Sequence, residues 1–278
     1  MKIVQSLEQQ FKAAGVDNAK RVAEELIAHV LDCKPLEIYL RDESLMAENL
    51  QLLDTLAARI EHGEPLQYVV GHVDFRGLEI KCDPRALIPR PETELLVEEV
   101  LNSGVWGKKS PVITEVGTGT GCIVLALAQE RPDADFRAVD LSSAALDLAK
   151  ENARFHRLEN KIRWEENHLL DGFVPGSCDA VVANLPYIAS NDWAALSPAV
   201  RDHEPQSALD SGPSGMELIE ELAVQARSVL VPGGMLFLEF GYDQGDAVSQ
   251  CLNQAGYHDI RIEQDLASLD RMAIARNP

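Results

Sequence analysis

Thr114-Glu115-Val116-Gly117-Thr118-Gly119-Thr120-Gly121-Cys122 decides how the rest of the chain is read. Val112-Ile113 leads into it and Ile123-Val124-Leu125-Ala126-Leu127-Ala128 leads out. That is the outline of a buried strand, a glycine turn and a helix start. Glycine admits positive φ and lets a ligand approach without meeting a Cβ. The helix that follows offers unpaired N–H groups to something negatively charged. Taken alone, such a loop is either a cofactor cradle or a plain structural turn.

The spacing narrows the ligand. A dinucleotide fingerprint requires Gly-x-Gly-x-x-Gly. Counted from Gly117 the third glycine would fall on Cys122, and counted from Gly119 on Val124, so that register fails. Gly-x-Gly-x-Gly, with Glu115 two residues before it, instead resembles the first motif of S-adenosylmethionine-dependent methyltransferases. That cofactor has no pyrophosphate, but its methionine carboxylate still needs donors.

Downstream of the loop, strands and helices alternate. Strands are predicted near 112–116, 135–139, 161–165, 179–183, 234–240, 258–263 and 271–276, and helices near 120–130, 142–156, 215–229 and 243–255. The alternation implies an α/β, doubly wound, Rossmann-like sheet of seven strands. Pro232-Gly233-Gly234 reads as a turn into the apolar strand Met235 to Phe240. The last two strands leave no room for a crossover helix, so they should be antiparallel.

Upstream, residues 3–62 read as helices. Leu7 and Phe11, then Val22, Leu26 and Val30, then Leu50, Leu53, Leu56 and Ile60 recur at three- and four-residue steps. Asp17-Asn18 and Asp32 to Pro35 supply the breaks. Glycine and proline punctuate residues 63–91, where Val73-Asp74-Phe75 and Leu78-Glu79-Ile80 can pair as a hairpin across Arg76-Gly77. Pro91 then starts a helix carrying Leu95, Leu96, Val100 and Leu101. The chain thus divides into a helical module over 1–70, a structured linker over 71–91 and an α/β domain over 92–278. The module is a cap or a substrate-recognition element.

With 278 residues, 46% hydrophobic and 25% charged, the composition is that of a soluble protein able to bury a full core. The five cysteines are scattered, without a Cys-x-x-Cys pair, and the seven histidines show no ligand spacing. Reduced thiols, no metal and a cytoplasmic location are the expectation. The N-terminus lacks a signal-peptide apolar core, and no run approaches membrane-spanning length. The charge is more informative. Residues 1–90 hold 11 Lys and Arg against 15 Asp and Glu, and the remainder 14 against 30, balances of −4 and −16. Such a surface repels nucleic-acid phosphates and suits a basic protein partner.

Three places carry candidate chemistry. Asp140 ends the second strand of the alternating region, where a carboxylate can accept both hydroxyls of a ribose or cap the next helix. Asn167-His168 follows the third strand, where an adenine would lie, and an amide both donates and accepts. Val181-Val182-Ala183-Asn184-Leu185-Pro186-Tyr187 is the sharpest. An apolar strand ends there in an amide, a carbonyl held extended by the following proline, and an aromatic ring. Asn184 Oδ1 and the Leu185 carbonyl can each accept one hydrogen of a planar –NH2 group while Tyr187 covers its face. An amide nitrogen is a poor nucleophile because its lone pair is delocalised, so two acceptors and a fixed approach are what its methylation needs. No hydrolase elbow, Walker loop or His-Glu-x-x-His is present.

Asn184-Leu185-Pro186-Tyr187 resembles the (Asn/Asp)-Pro-Pro-Tyr signature of methyltransferases acting on planar amino groups. Leu87-Ile88-Pro89-Arg90-Pro91-Glu92-Thr93-Glu94, Gly63-Glu64-Pro65-Leu66-Gln67-Tyr68 and His203-Glu204-Pro205-Gln206-Ser207-Ala208-Leu209 are similar to segments of the HemK-type (PrmC-type) peptide chain release factor glutamine methyltransferases. The resemblance spans essentially the whole chain. It implies methyl transfer from S-adenosylmethionine to the glutamine of the Gly-Gly-Gln motif in release factors. It assigns Glu115, Gly117, Thr118, Gly119, Thr120, Gly121, Asp140, Asn167, His168 and Asn184 to the cofactor. It assigns Asn184, Leu185, Pro186 and Tyr187 to catalysis and to the substrate, with Phe75 bordering its pocket. Three departures stand out: Leu185 replaces the usual first proline, Glu115 stands where Asp is common, and Asn167-His168 where Asp and an aromatic residue are frequent. The rival readings are a ribosomal-protein glutamine methyltransferase, a DNA or RNA adenine methyltransferase, and a cofactor-binding module without catalysis. The charge opposes the nucleic-acid enzyme.

Overall fold

The computed structural model describes residues 2–41 and 49–278. They form two compact units, one of residues up to His72 together with Ser197–His203, the other of Val73–Leu196 and Glu204–Pro278.

The first unit is helical, with α1 (Lys2–Ala13), α2 (Ala19–Val30), a 3-10 turn at Pro35–Leu40, α3 (Leu50–Glu61) and α4 (Leu66–Val70). Each long helix buries one stripe: Val4, Leu7 and Phe11; Ala23, Leu26 and Ile27; Leu53, Leu56, Ala57 and Ile60. Steps of three and four put these side chains on one helix face, and the stripes meet in one cluster. Val22 and Val30 pack half-buried at its edge, while Leu50, in the first turn of α3, stays 41% exposed. Asn18 and Asp32 adopt positive φ at the breaks, and Gly71 stops α4 at φ +83, a conformation those residue types reach at low cost.

In the second unit β1 (His72–Phe75) and β2 (Leu78–Lys81) pair across Arg76 and Gly77, both at positive φ. Two-residue hairpin turns that match strand twist require that conformation. Arg76 ties the turn to α5 (Thr93–Leu101) through its N–H to Glu94 Oε1 at 3.2 Å and an ion pair with Glu98 at 3.0 Å.

The main sheet follows from β3 (Val112–Val116), α6 (Cys122–Glu130), β4 (Asp135–Asp140), α7 (Ser143–Phe155), β5 (Ile162–Glu166) and β6 (Cys178–Asn184). The chain then passes through α8 (Pro198–Arg201), a single turn grouped with the helical unit, and returns as α9 (Glu217–Val229), β7 (Leu230–Glu239), α10 (Gly245–Gln254), β8 (His258–Gln264) and β9 (Asp270–Arg276). The strand order is β5-β4-β3-β6-β7-β9-β8. Neighbours from β5 to β7 are parallel, and β9 runs antiparallel to both β7 and β8. Side chains alternate between faces with period two. Ala180, Val182, Met235 and Phe237 join the core under α5 and α6, whereas Val181, Ala183, Leu236 and Leu238 join the core under α9 and α10. Every residue from Cys122 to Ala128 is buried, which is why α6 has no polar face.

The sheet of the sequence reading is therefore present, with one local difference. Pro232-Gly233-Gly234 does not precede β7 but lies within it: Cys178 pairs with Leu230 and Ala180 next with Met235, so residues 231–234 bulge out. Gly233 takes φ +78 there and donates its N–H to the Asn277 carbonyl at 2.9 Å.

The order also locates a cleft. The chain leaves β3 toward β4 and β5, then crosses back to β6 and β7. A crevice opens outside the carboxyl ends of strands where a parallel sheet reverses its order in this way.

Candidate active site

A cleft occupies that position. Its wall combines the segment Arg85–Arg90 with Thr93, the turn Glu115–Thr120, the ends of β4 and β5 (Val139–Ser142, Asn167–Leu169) and Asn184–Pro186. Cys122, Ile123, Ala145, Pro205, Ser207, Ala208 and Leu218 complete it.

Backbone geometry makes the glycine turn. Gly117 has φ +73, and a Cβ there would stand 2.9 Å from Leu185 Cδ2 and 3.6 Å from the Asn184 carbonyl oxygen. Gly121 has φ +82, and its Cβ would stand 3.2 Å from that of Ala149. The N–H groups of Gly117 and Thr118 donate to the Val139 carbonyl at 2.8 and 3.0 Å, and Asn152 Nδ2 donates to the Thr120 carbonyl at 2.9 Å. Asn152 is fully buried and also accepts the Lys81 N–H, which joins β2 to the turn through α7.

Glu115 and Asp140 brace the same turn from two sides. Glu115 Oε2 accepts the Thr118 hydroxyl at 2.5 Å and the Val124 N–H at 3.2 Å. One of the helix-start donors that the sequence leaves open to a ligand is therefore taken by the protein's own carboxyl group. Burial pushes the Glu115 carboxyl up to about 8 against those two hydrogen bonds, with Asp140 pushing the same way. Asp140 Oδ2 accepts the Gly119 N–H at 2.8 Å and its Oδ1 the Ser142 N–H at 2.9 Å. Burial raises its pKa, and the backbone N–H groups of Ser142, Gly119 and Leu141 oppose the rise. Ser142, not Asp140, caps α7, its hydroxyl accepting the Ala145 N–H at 3.2 Å.

Asn167 and His168 line the cleft beyond Asp140. Asn167 Nδ2 donates to the Asp171 carbonyl at 2.8 Å, which leaves Oδ1 as the acceptor. His168 Nε2 contacts Glu221 Oε1 at 2.9 Å. Leu169 follows at φ +45, a left-handed conformation uncommon for leucine.

Asn184, Leu185 and Pro186 line the opposite wall. Asn184 Nδ2 donates to Thr93 Oγ1 at 3.1 Å. The backbone after the corner is tightly held. Gln244 Nε2 donates to the Tyr187 carbonyl at 3.0 Å, the Ile188 N–H to the Leu209 carbonyl at 2.9 Å, and a Cβ on Gly215 would stand 2.5 Å from the Tyr187 oxygen. Two expected pocket residues lie off the wall. Tyr187 packs partly buried against the core under α9 and α10, where burial pushes its hydroxyl up to about 12. Phe75 is 1% exposed in the core with Leu78, Ile80 and Leu96, because strand alternation turns it inward beside the hairpin. Neither ring is part of the cleft wall as it stands.

Sequence reasoning missed three polar residues here. Glu204 is 5% exposed; its Oε1 accepts Arg90 Nη2 at 2.6 Å and its Oε2 the Ile88 N–H at 3.1 Å, which pins the cleft-lining segment 85–90. Thr93 is 2% and Glu239 1% exposed, and Glu239 is the register partner of Asn184 across β6 and β7. Burial pushes Glu239 up to about 7, while Thr93, Arg271 and Asn184 nearby pull it down and Glu92 pushes it up. An acid closing the apolar run Met235-Leu236-Phe237-Leu238-Glu239 is the signal that was there to find.

This fold, with its cleft over the ends of β3, β4 and β6, is that of a methyltransferase. Residues 91–199 match the methyltransferase small domain, and residues 2–71 the PrmC N-terminal domain. A crystal structure of a methyltransferase from Pyrococcus furiosus, 16% identical, covers 72% of this chain and 89% of its own with a TM-score of 0.53. The chain belongs to the release factor glutamine methyltransferase family. The family member so named from Chlorobaculum tepidum is 37% identical over 270 residues, covering 94% of this chain and 91% of its own length. The one from Burkholderia pseudomallei is 39% identical over 259 residues, covering 91% and 90%.

Proposed function

We propose that this chain methylates the side-chain amide nitrogen of the glutamine in the Gly-Gly-Gln motif of peptide chain release factors, with S-adenosylmethionine as donor. The observation that supports this most is the approach of the acceptor corner to the glycine turn: a Cβ on Gly117 would stand 2.9 Å from Leu185 Cδ2. A group in the turn and an amide at the corner would therefore share one cleft.

The residues fit the donor. A turn held at positive φ at Gly117, a half-buried carboxyl at Asp140 and the Asn167 acceptor suit a carboxylate, a ribose and an adenine in that order. When bound, the cofactor supplies a methyl carbon activated by a sulfonium. Gly117 to Gly121, with Thr118 and Thr120, would hold its amino-acid end, Asp140 its ribose, and Asn167-His168 its adenine. Glu115 acts through the turn it braces. Asn184 Oδ1 and the Leu185 carbonyl accept the two hydrogens of the target amide and fix its nitrogen in line with that methyl carbon. Pro186 holds the Leu185 carbonyl extended. The two acceptors would stabilise the positive charge that builds on the amide hydrogens as the nitrogen is methylated, and the surplus proton would leave to water.

The test is direct. Purified protein, S-adenosylmethionine and a release factor are incubated, and the modified residue is located by peptide mass spectrometry. Methylation confined to the motif glutamine is expected. Methyl transfer to a ribosomal protein or to DNA adenine, with the release factor untouched, would overturn the reading.

A further inference from the structure

An asparagine side chain has two ends of similar size and opposite hydrogen-bonding character. Asn184 can accept from a target amide only if Oδ1, not Nδ2, faces the cleft. In the wrong orientation it would present a donor to a donor. Something must hold the amide one way round.

We infer that Thr93 and Glu239 are positioning residues that lock the Asn184 amide with its oxygen toward the cleft. The inference rests on the acceptor role given to Asn184 above. Asn184 Nδ2 donates to Thr93 Oγ1 at 3.1 Å. Thr93 begins α5 and is 2% exposed, so water has little access to its hydroxyl. Having accepted from Asn184, that hydroxyl needs an acceptor for its own proton. Glu239 is the neighbouring acceptor: it is 1% exposed and sits opposite Asn184 in the β6–β7 register, and hydrogen bonding from Thr93 and Asn184 offsets part of the rise that burial gives its pKa.

The direction of the chain is set by what is in excess. Glu239 Oε2 is buried without a hydrogen-bond partner, so with that carboxyl ionised this corner has more acceptors than donors. Nδ2 is the end an acceptor-rich environment attracts, and it is drawn toward Thr93 and Glu239. Oδ1 is left for the cleft that Asn184 lines. With the Thr93 proton committed to Glu239, a flipped amide would lose the Thr93 bond and set its oxygen beside two further oxygens, at the cost of unpaired acceptors. Thr93 and Asn184 line the cleft and Glu239 is not part of its wall, so its part is played through those two.

The experiment is a double-mutant cycle on the full-length protein. Methylation of a release factor is read as kcat and KM, and S-adenosylmethionine affinity is read separately by calorimetry. Thr93→Val keeps the shape of the side chain and removes the hydroxyl. It should lower kcat about tenfold, the value of one such hydrogen bond, with cofactor affinity within twofold. Thr93→Ser restores the hydroxyl and should restore kcat. In an Asn184→Ala background Thr93→Val should cost nothing further, since no amide remains to orient. Glu239→Gln retains an acceptor oxygen and should lose less than Thr93→Val. Full activity in Thr93→Val, an equal loss in the Asn184→Ala background, or a larger loss in Glu239→Gln would each overturn the inference. The reading it rests on fails differently, through an Asn184→Ala enzyme that keeps wild-type activity.

Discussion

Asn184 and Glu115 both carry polar side chains at the carboxyl end of a buried strand, yet their surroundings give them opposite tasks. Asn184 is partly open to the cleft and keeps an acceptor for a ligand, whereas Glu115 is 2% exposed and spends its oxygen on Thr118 and Val124. Replacing Asn184 by alanine removes a positioned acceptor and should lower turnover by roughly 100- to 1,000-fold, while cofactor affinity changes far less. Leu185→Pro keeps the carbonyl and should leave the rate within about tenfold; steady-state kinetics beside calorimetry ranks the two. Glu115 makes a different prediction. Its carboxyl is raised from 4.5 to about 8 on folding, so the folded state holds a proton that the unfolded state releases. That contribution to stability is complete below about 4.5 and is lost as pH rises through about 8. Gln can accept from Thr118 and Val124 but cannot ionise. The unfolding free energy of the native protein relative to Glu115→Gln should therefore fall across that window, with Asp140, the charged neighbour, present in both. Parallel pH profiles from denaturant titration would remove the shift.

At the scale of elements, what could be read from the sequence was whatever a short period encodes. Leu7 and Phe11 in α1 and Leu53, Leu56 and Ile60 in α3 announce helices, and Val181 to Ala183 announces a strand buried on both faces. The glycine turn was legible because positive φ at Gly117 and Gly121 has few substitutes. The bulge in β7 was not, since Pro232-Gly233-Gly234 reads the same before a strand as within one. Nor were the Thr93–Asn184 and Arg90–Glu204 contacts, which join residues 91 and 114 positions apart. Tyr187 was read from its motif alone, and the period-two pattern gave no sign that it packs partly buried against the core under α9 and α10. Asp140 links two elements, β4 and the glycine turn, through the Gly119 N–H. Asp140→Ala should weaken S-adenosylmethionine binding by about 1.5–3 kcal/mol, the range for hydrogen bonds to a charged group. Asp140→Asn should recover part of this, as its oxygen can still accept the Gly119 N–H. Calorimetry giving Asp140→Ala the native affinity would take this residue out of the site.

For the whole molecule, the charge of −20 is the property no single element reveals. Part of it is hidden: Glu115, Asp179, Glu204 and Glu239 are buried, and Lys108 and Arg90 neutralise two of them directly. The rest lies on the surface and is concentrated beyond residue 90, where 14 basic residues face 30 acidic ones. No described helix is long and apolar enough to cross a membrane. A field of one sign steers an oppositely charged protein before contact, and this raises the association rate more than it slows dissociation. Salt acts on that stage first, because the screening length shrinks from about 10 Å at 0.1 M to about 3 Å at 1 M. Contacts made inside a closed interface are shielded from salt by their own burial. Stopped-flow association with a release factor should therefore slow by tenfold or more between about 0.05 and 0.5 M salt, within the range of steered encounters, while the dissociation rate changes by less. A partner met through apolar surface alone would show the reverse, an association rate indifferent to salt, and that result would remove electrostatic steering from the account of how this enzyme finds its substrate.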